Sequence, residues 1–141
     1  MIGWLSGTVK FTDVDAACVD VGGIGYRVLL TLHDLARAQP GSKLELFVHT
    51  NVREDAIQLF GFHTDLERAL FEQLIRTSGV GPKLAQAVLS GMLPRDLLAA
   101  LMREDLAALR TIPGIGLKTA QRLLVDLRDR VGDLAAAATA D

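Results

Sequence analysis

The stretch Gly79-Val80-Gly81-Pro82-Lys83-Leu84-Ala85-Gln86-Ala87-Val88-Leu89 returns 35 residues later as Gly114-Ile115-Gly116-Leu117-Lys118-Thr119-Ala120-Gln121-Arg122-Leu123-Leu124. Two glycines, a lysine, an alanine, a glutamine and a leucine coincide, and an apolar residue separates the glycines in both copies. Self-similarity of this kind marks a duplicated supersecondary unit. Each Gly-x-Gly admits a positive φ and close backbone approach, so several N–H groups can point one way. Apolar residues at helical spacing precede each turn (Leu70, Phe71, Leu74 and Ile75; then Leu106, Leu109 and Ile112) and follow it. The pattern is helix, tight turn, helix, twice over. Amides at the start of the second helix of each pair form a ready site for a phosphate oxygen, and Lys83 or Lys118 adds a mobile positive charge one turn in. One copy alone is equally well read as an αα-hairpin with an ordinary glycine C-cap. Two copies with the lysine in register favour a grip on a nucleic-acid backbone.

Bulk properties set limits on that reading. The chain has 141 residues, half of them hydrophobic and 23% charged, enough for one ordinary globular domain or two small ones. Its formal net charge is −2, which argues against a broad basic field. Residues 1–62 carry five Lys/Arg and seven Asp/Glu, whereas residues 63–133 carry ten and nine. Phosphate contact therefore has to rest on placed amides and a few cations. The single cysteine, Cys18, excludes an internal disulfide and a cysteine-based zinc site, and its alternating surroundings suggest a small core residue. No secretory n- and h-region is present, and no apolar run approaches the ~18 residues of a membrane span. A cytoplasmic protein without a membrane partner is expected.

The first part of the chain reads as β-structure: strands over 2–11, 16–21, 25–30, 44–52 and 56–60. A short helix over 31–38, capped by Thr31, falls between the third and fourth. That order is the order of a five-stranded OB-fold barrel; a small open meander is the alternative. Trp4, Phe11, Tyr26 and Phe47 are dispersed, and filling the barrel suits them at least as well as stacking on bases. Character changes at Gly61-Phe62-His63-Thr64, where Thr64 and Glu67 form a capping box. Helices then follow over 65–77, 82–91, 94–101, 104–110 and 117–130, with Gly132-Asp133 ending the last. The fold class is α+β in two domains, an OB barrel over 1–62 and an all-α tandem helix-hairpin-helix domain over 63–133. Residues 134–141 read as the start of a flexible linker.

Catalytic motifs are lacking. The loop from Gly114 to Thr119 misses a Walker phosphate-binding loop because Leu117 intervenes before the lysine, and Gly23-x-Gly25 lacks a third glycine. His33, His49 and His63 have no metal-ligand spacing along the chain and are expected to cap or pack. Ser6, Ser42, Ser78 and Ser90 lie in no nucleophile motif. Asp126 and Asp129 suit a solvated helix face paired with Arg122 and Arg130. The expectation is a binder without catalysis, metal or cofactor. Its competitors are a helix-hairpin-helix nuclease or glycosylase domain and a single-strand-binding OB protein. Glu54-Asp55, at the tip of the hairpin between the fourth and fifth strands, reads as a soluble turn. Beside DNA it makes sense only where strands are to be kept apart.

Over its whole length the chain resembles the RuvA family, the bacterial Holliday-junction-binding subunits of branch migration. The resemblance is carried by Met1-Ile2-Gly3-Trp4-Leu5-Ser6-Gly7, the hairpin Val48-His49-Thr50-Asn51-Val52-Arg53-Glu54-Asp55-Ala56 and Leu59-Phe60-Gly61-Phe62. It continues in Ser78-Gly79-Val80-Gly81-Pro82-Lys83-Leu84-Ala85 and in Ile112-Pro113-Gly114-Ile115-Gly116-Leu117-Lys118-Thr119-Ala120. Tandem hairpins occur in many repair proteins, but their combination with this barrel and this acidic hairpin is specific. The resemblance implies a homotetramer, or two stacked as an octamer, on whose flat face a four-way junction lies open. It assigns DNA-backbone binding to Gly79, Val80, Gly81, Lys83, Gly114, Ile115, Gly116, Lys118 and Arg122, and a central acidic pin to Glu54 and Asp55. It further implies roles in recombination, repair and the SOS response. The partners it implies are a RuvB-like hexameric ATPase, reached through a third helical domain after the linker, and a junction resolvase. Leu117 departs from a second lysine found in many relatives, which implies a slightly weaker grip. On this reading the chain stops in the linker, keeping junction binding and lacking the means to engage the motor.

Overall fold

The computed structural model describes residues 1–139. It divides into two compact units, Met1–Arg68 and Ala69–Asp141. The first unit holds β1 (Trp4–Thr12), β2 (Ala16–Val21), β3 (Ile24–Leu30), α1 (Leu32–Arg37), β4 (Lys43–Val52) and β5 (Ile57–Phe62). The strands close a barrel in the order β1-β2-β3-β5-β4. All neighbours are antiparallel except β3 and β5, which run parallel with Val28 opposite Leu59 and Leu30 opposite Gly61. Closure leaves no free edge and excludes the open meander. The interior is lined by Leu5, Val9, Ala17, Val19, Val28, Leu30, Leu46, Val48 and Leu59, with Ala38 after α1 packed among them. Leu46 and Val48, and Ala17 and Val19, show the period of two that puts alternate side chains inside. Helix α1 begins as the sequence predicts, Thr31 accepting a hydrogen bond from the Asp34 amide at 3.3 Å.

Two expectations about the barrel need correcting. Trp4 and Phe11 do not fill it, being 52% and 56% exposed. Trp4 alternates with buried Leu5, and its indole donates to Glu45 at 3.2 Å. For Phe11 the cause is a bulge: Val9 opposes Val19 while Phe11 opposes Cys18, so β1 carries one extra residue at Lys10. That residue reverses the faces downstream. Tyr26 and Phe47 are half-buried. Cys18 is likewise half-buried rather than a core residue, because its neighbours Ala17 and Val19 hold the inward positions.

The chain leaves β5 for α2 (Asp65–Ile75), within which the division between the units falls, and continues through α3 (Pro82–Gly91), α4 (Pro94–Met102), α5 (Leu106–Arg110) and α6 (Leu117–Thr139). Thr64 caps α2 through its hydroxyl, which accepts from the Glu67 amide at 3.3 Å. The reciprocal half of the predicted capping box differs, since the Thr64 hydroxyl itself donates to the Glu67 carboxylate at 3.1 Å. Pro82 and Pro94 start α3 and α4 at the position where a missing N–H costs nothing. Between α4 and α5 the backbone turns at Glu104, which has φ of 54°. The amide of Asp105 returns to the Ala100 carbonyl at 2.9 Å, a left-handed cap that usually takes glycine. Glu104 also accepts a hydrogen bond from Arg128 of α6 at 2.9 Å. The second core gathers Leu70, Phe71, Leu74, Val88, Leu97, Leu109, Leu123 and Leu127, all buried.

Helix α6 does not end at Gly132-Asp133; it runs on to Thr139. Residues 134–139 are thus helix where a linker was expected, and residues 140 and 141 lie outside the described residues. A glycine inside a helix costs about 1 kcal/mol, and the alanines that follow have the highest helix propensity. Among the described residues no single helix is long and apolar enough to cross a membrane.

Candidate nucleic-acid interface

The duplication visible in the sequence persists to the level of single hydrogen bonds. In the first turn the Thr77 amide donates to Leu74 O at 3.0 Å, the Val80 amide to Thr77 O at 3.0 Å and the Ala85 amide to Gly81 O at 3.0 Å. In the second the Ile112 amide donates to Leu109 O at 3.3 Å, Ile115 to Ile112 O at 3.1 Å and Ala120 to Gly116 O at 3.0 Å. Gly79 and Gly114 occupy equivalent left-handed positions, with φ of +87° and +93°. An L-residue is strained there, so the first glycine of each pair is required by the backbone itself. The two turns also lean on each other's hairpin. A Cβ at Gly79 would come within 3.4 Å of the Arg122 guanidinium of α6, and one at Gly114 within 3.0 Å of Leu84 Cδ1 of α3.

The second glycine of each pair begins a helix. Gly81 is extended, with φ of −90° and ψ of 177°, and no side chain caps α3. The first four amides of an α-helix have no acceptor within it. In α3 these belong to Gly81, Lys83 and Leu84, Pro82 having none; in α6 they belong to Gly116, Leu117, Lys118 and Thr119. Lys83, Lys118, Arg122 and all four glycines are exposed. Each turn therefore presents unpaired N–H groups, the positive end of a helix dipole and a mobile cation in one place. That combination is chemically suited to a phosphate oxygen and offers no means of reading a base.

Val80 and Ile115 have a different part in the site. Both are buried, at 4% and 5% exposure, and both amides are already engaged with Thr77 and Ile112. They peg the turns to the core and leave the neighbouring amides outward. The helix face expected to pair Asp126 and Asp129 with Arg122 and Arg130 is arranged otherwise: Arg130 donates to Gln73, and Arg128 binds Glu104.

The acidic tip lies in the first unit. β4 and β5 pair up to Val52 and Ile57, and the Arg53 amide donates to Ala56 O at 2.7 Å, leaving Glu54 and Asp55 at the apex of a tight turn. Both carboxylates are exposed. Val52 and Ile57, the last ladder pair, are 54% and 71% exposed, so the tip stands on an apolar base open to water.

One further cluster has no signature in the sequence. His63 Nδ1 lies 2.6 Å from Asp34 Oδ1 and 3.0 Å from Glu67 Oε1. Asp34 and Glu67 are buried, at 1% and 3% exposure. Burial, and then the Asp34 charge, push the Glu67 carboxyl above its ordinary range, with His63 pulling the other way. Thr64-x-x-Glu67 signalled only a helix start, and Asp34 lies 29 residues upstream of His63. Chain spacing alone could not have joined them.

A closed five-stranded barrel followed by two helix-hairpin-helix turns, each offering bare amides beside a lysine, defines a class of protein that grips the nucleic-acid backbone. Similarity to known proteins narrows the class. Residues 1–61 match the family described as RuvA N terminal domain, and residues 71–129 match the SAM-like Helix-hairpin-helix tandem. The Holliday junction branch migration complex subunit RuvA of Dichelobacter nodosus is 46% identical over 93% of this chain and 64% of its own length. Its counterpart in Thioalkalivibrio sulfidiphilus is 46% identical over 99% of this chain and 70% of its own length. That of Acidobacterium capsulatum is 47% identical over 99% and 71%. The chain belongs to the RuvA family, and it spans about two thirds of the length of these relatives.

Proposed function

We propose that this protein binds four-way DNA junctions by their phosphate backbones and holds them open for branch migration, without catalysing a reaction itself. The observation that carries the reading is the pair of equivalent helix N-termini, at Gly81 and Gly116, each with a lysine one turn in. Gly79, Gly81, Lys83, Gly114, Gly116, Lys118 and Arg122 supply the grip, with Val80 and Ile115 holding its shape. A grip that reads no bases gains selectivity only from arrangement. Glu54 and Asp55 act as a repulsive pin that disfavours continuous duplex.

The working form is a homotetramer, alone or as a facing pair. Exposed apolar side chains on the barrel (Trp4, Phe11, Ile24, Val52 and Ile57) support assembly, since a lone chain would leave them in water. The partners are a RuvB-like hexameric ATPase, met through a C-terminal domain that longer family members carry, and a junction resolvase. The setting is cytoplasmic recombination and repair, including the SOS response.

The test is to incubate labelled four-way, duplex and single-stranded DNA with the protein and Mg²⁺, and to weigh the complexes. Preference for the four-way form, no cleavage and a mass of four or eight chains are expected. Cleavage would favour a nuclease, and preference for single strands would favour a stacking OB protein. Glu54→Gln with Asp55→Asn should keep junction binding and raise affinity for plain duplex; unchanged duplex affinity would reduce the pin to a turn.

A further inference from the structure

None of Asp34, His63 and Glu67 is among the residues proposed to grip DNA, and the geometry of their cluster suits a ligand. Three donor atoms, Asp34 Oδ1, His63 Nδ1 and Glu67 Oε1, lie within 4.8 Å of one another. They come from α1, from the residue after β5 and from the first turn of α2. Asp34 is 1% exposed, and its Oδ1 has no hydrogen-bond partner; neither has His63 Nδ1. The 2.6 Å approach of these two atoms is therefore close but misaligned, and a simple imidazole–carboxylate hydrogen bond does not account for it. The other carboxylate oxygen of Asp34 is held by the backbone amide of His63 at 3.2 Å, which turns Oδ1 toward the imidazole. The Thr64 hydroxyl fixes Glu67 Oε1 at 3.1 Å in the same way. Orientation of donors by outer hydrogen bonds is what a metal site needs.

Charge points the same way. Two buried carboxylates face one imidazole, and a cation between them would neutralise negative charge that water does not reach. Donors about 2.0–2.2 Å from a common ion stand about 2.8–3.1 Å apart at cis-octahedral angles and about 3.3–3.6 Å apart at tetrahedral ones. The His63–Glu67 spacing of 3.0 Å already meets the octahedral range, and the 2.6 Å pair has to open by a few tenths of an ångström. His63 is 32% exposed on its side chain, so the cluster lies near the surface although its donor atoms are buried.

We propose that Asp34, His63 and Glu67 form a binding site for a divalent transition cation of the Zn²⁺ class, one per chain. An imidazole with two carboxylates suits Zn²⁺ or Co²⁺, whereas Mg²⁺ prefers oxygen donors and keeps its waters. The site clamps α1 to the start of α2, and binding stabilises the first unit. Affinity falls as the pH is lowered, because protons compete with the cation for the same donor atoms.

The test titrates the untagged full chain with Co²⁺, followed by visible absorption, and then displaces it with Zn²⁺. Saturation at one ion per chain is expected, together with a melting temperature that climbs with Zn²⁺ and not with equal Mg²⁺. His63→Gln and Glu67→Gln should each weaken binding at least about tenfold, since even outer-shell changes cost that much. His49→Gln should leave it unchanged. His63 is partly exposed, so its variant should fold, and circular dichroism without metal checks this. No saturable binding at about 1 mM Co²⁺, or binding equally tight in folded His63→Gln, would overturn the proposal; about 1 mM marks the weak end of specific protein sites.

Discussion

The two helix-hairpin-helix turns share their hydrogen bonds and their left-handed glycine, yet they differ at the start of the helix that follows. The first begins its second helix with Pro82, the second with Leu117. Proline presets the helical φ but removes an amide, so the first turn is the stiffer and offers one donor fewer. Leu117 is 45% exposed and contributes no charge, yet its backbone supplies the donor that Pro82 lacks. The loss implied by the missing lysine is thus partly offset by the main chain. The surroundings differ as well. Gly79 abuts the mobile guanidinium of Arg122, whereas Gly114 abuts the flank of Leu84. The first turn is tuned by charge and the second by packing.

This difference predicts unequal responses to equal changes. Gly114→Ala should be the most damaging, because a positive φ costs about 1–3 kcal/mol in an L-residue and crowding against Leu84 adds to it. A melting temperature lowered more than in Gly79→Ala would bear this out. Gly79→Ala should lose about 1–2 kcal/mol through φ alone, since Arg122 can swing aside; equal losses at both sites would break the distinction. Lys83→Ala and Lys118→Ala leave the fold intact and should each flatten the salt dependence of junction binding, by about 0.9 in the log–log slope for each phosphate no longer neutralised. Leu117→Pro should fold normally and weaken binding by about 0.5–1.5 kcal/mol, the value of one hydrogen bond. Pro82→Ala should strengthen it by a similar amount.

The smallest effect concerns pH and sits outside the turns. Because the Glu67 carboxyl is raised above its ordinary value of 4.5, the folded state holds that proton more tightly than the unfolded chain. Its contribution is present below pH 4.5 and is lost as pH rises through the raised value. In the presence of a chelator, Glu67→Gln should be relatively more stable than the parent at neutral pH. An identical pH profile of melting would contradict this.

The repeat was legible because its chemistry is local. Glycines that need a positive φ and lysines one turn into a helix keep their offset of 35 whatever surrounds them. The barrel was legible from strand lengths and turn residues. The orientation of Phe11 was not, because one extra residue at Lys10 reverses the faces and nothing in the local alternation announces it. The end of α6 was misread at Gly132, where the alanines downstream outweigh one glycine. The parts played by Val80 and Ile115 needed the structure too, since an apolar residue between two glycines can face a ligand or the core. Asp34, His63 and Glu67 meet only because the chain returns from β5 to the start of α1.

The central claim is that backbone amides at two helix N-termini hold DNA phosphates, and the amide resonances of the protein titrated with four-way junction DNA test it most directly. The amides of Gly81, Lys83, Leu84, Gly116, Leu117, Lys118 and Thr119 should move on binding. Those of Val80 and Ile115, already bonded to Thr77 and Ile112, should move far less. Shifts confined to the barrel, or equal at Val80 and Gly81, would contradict the account.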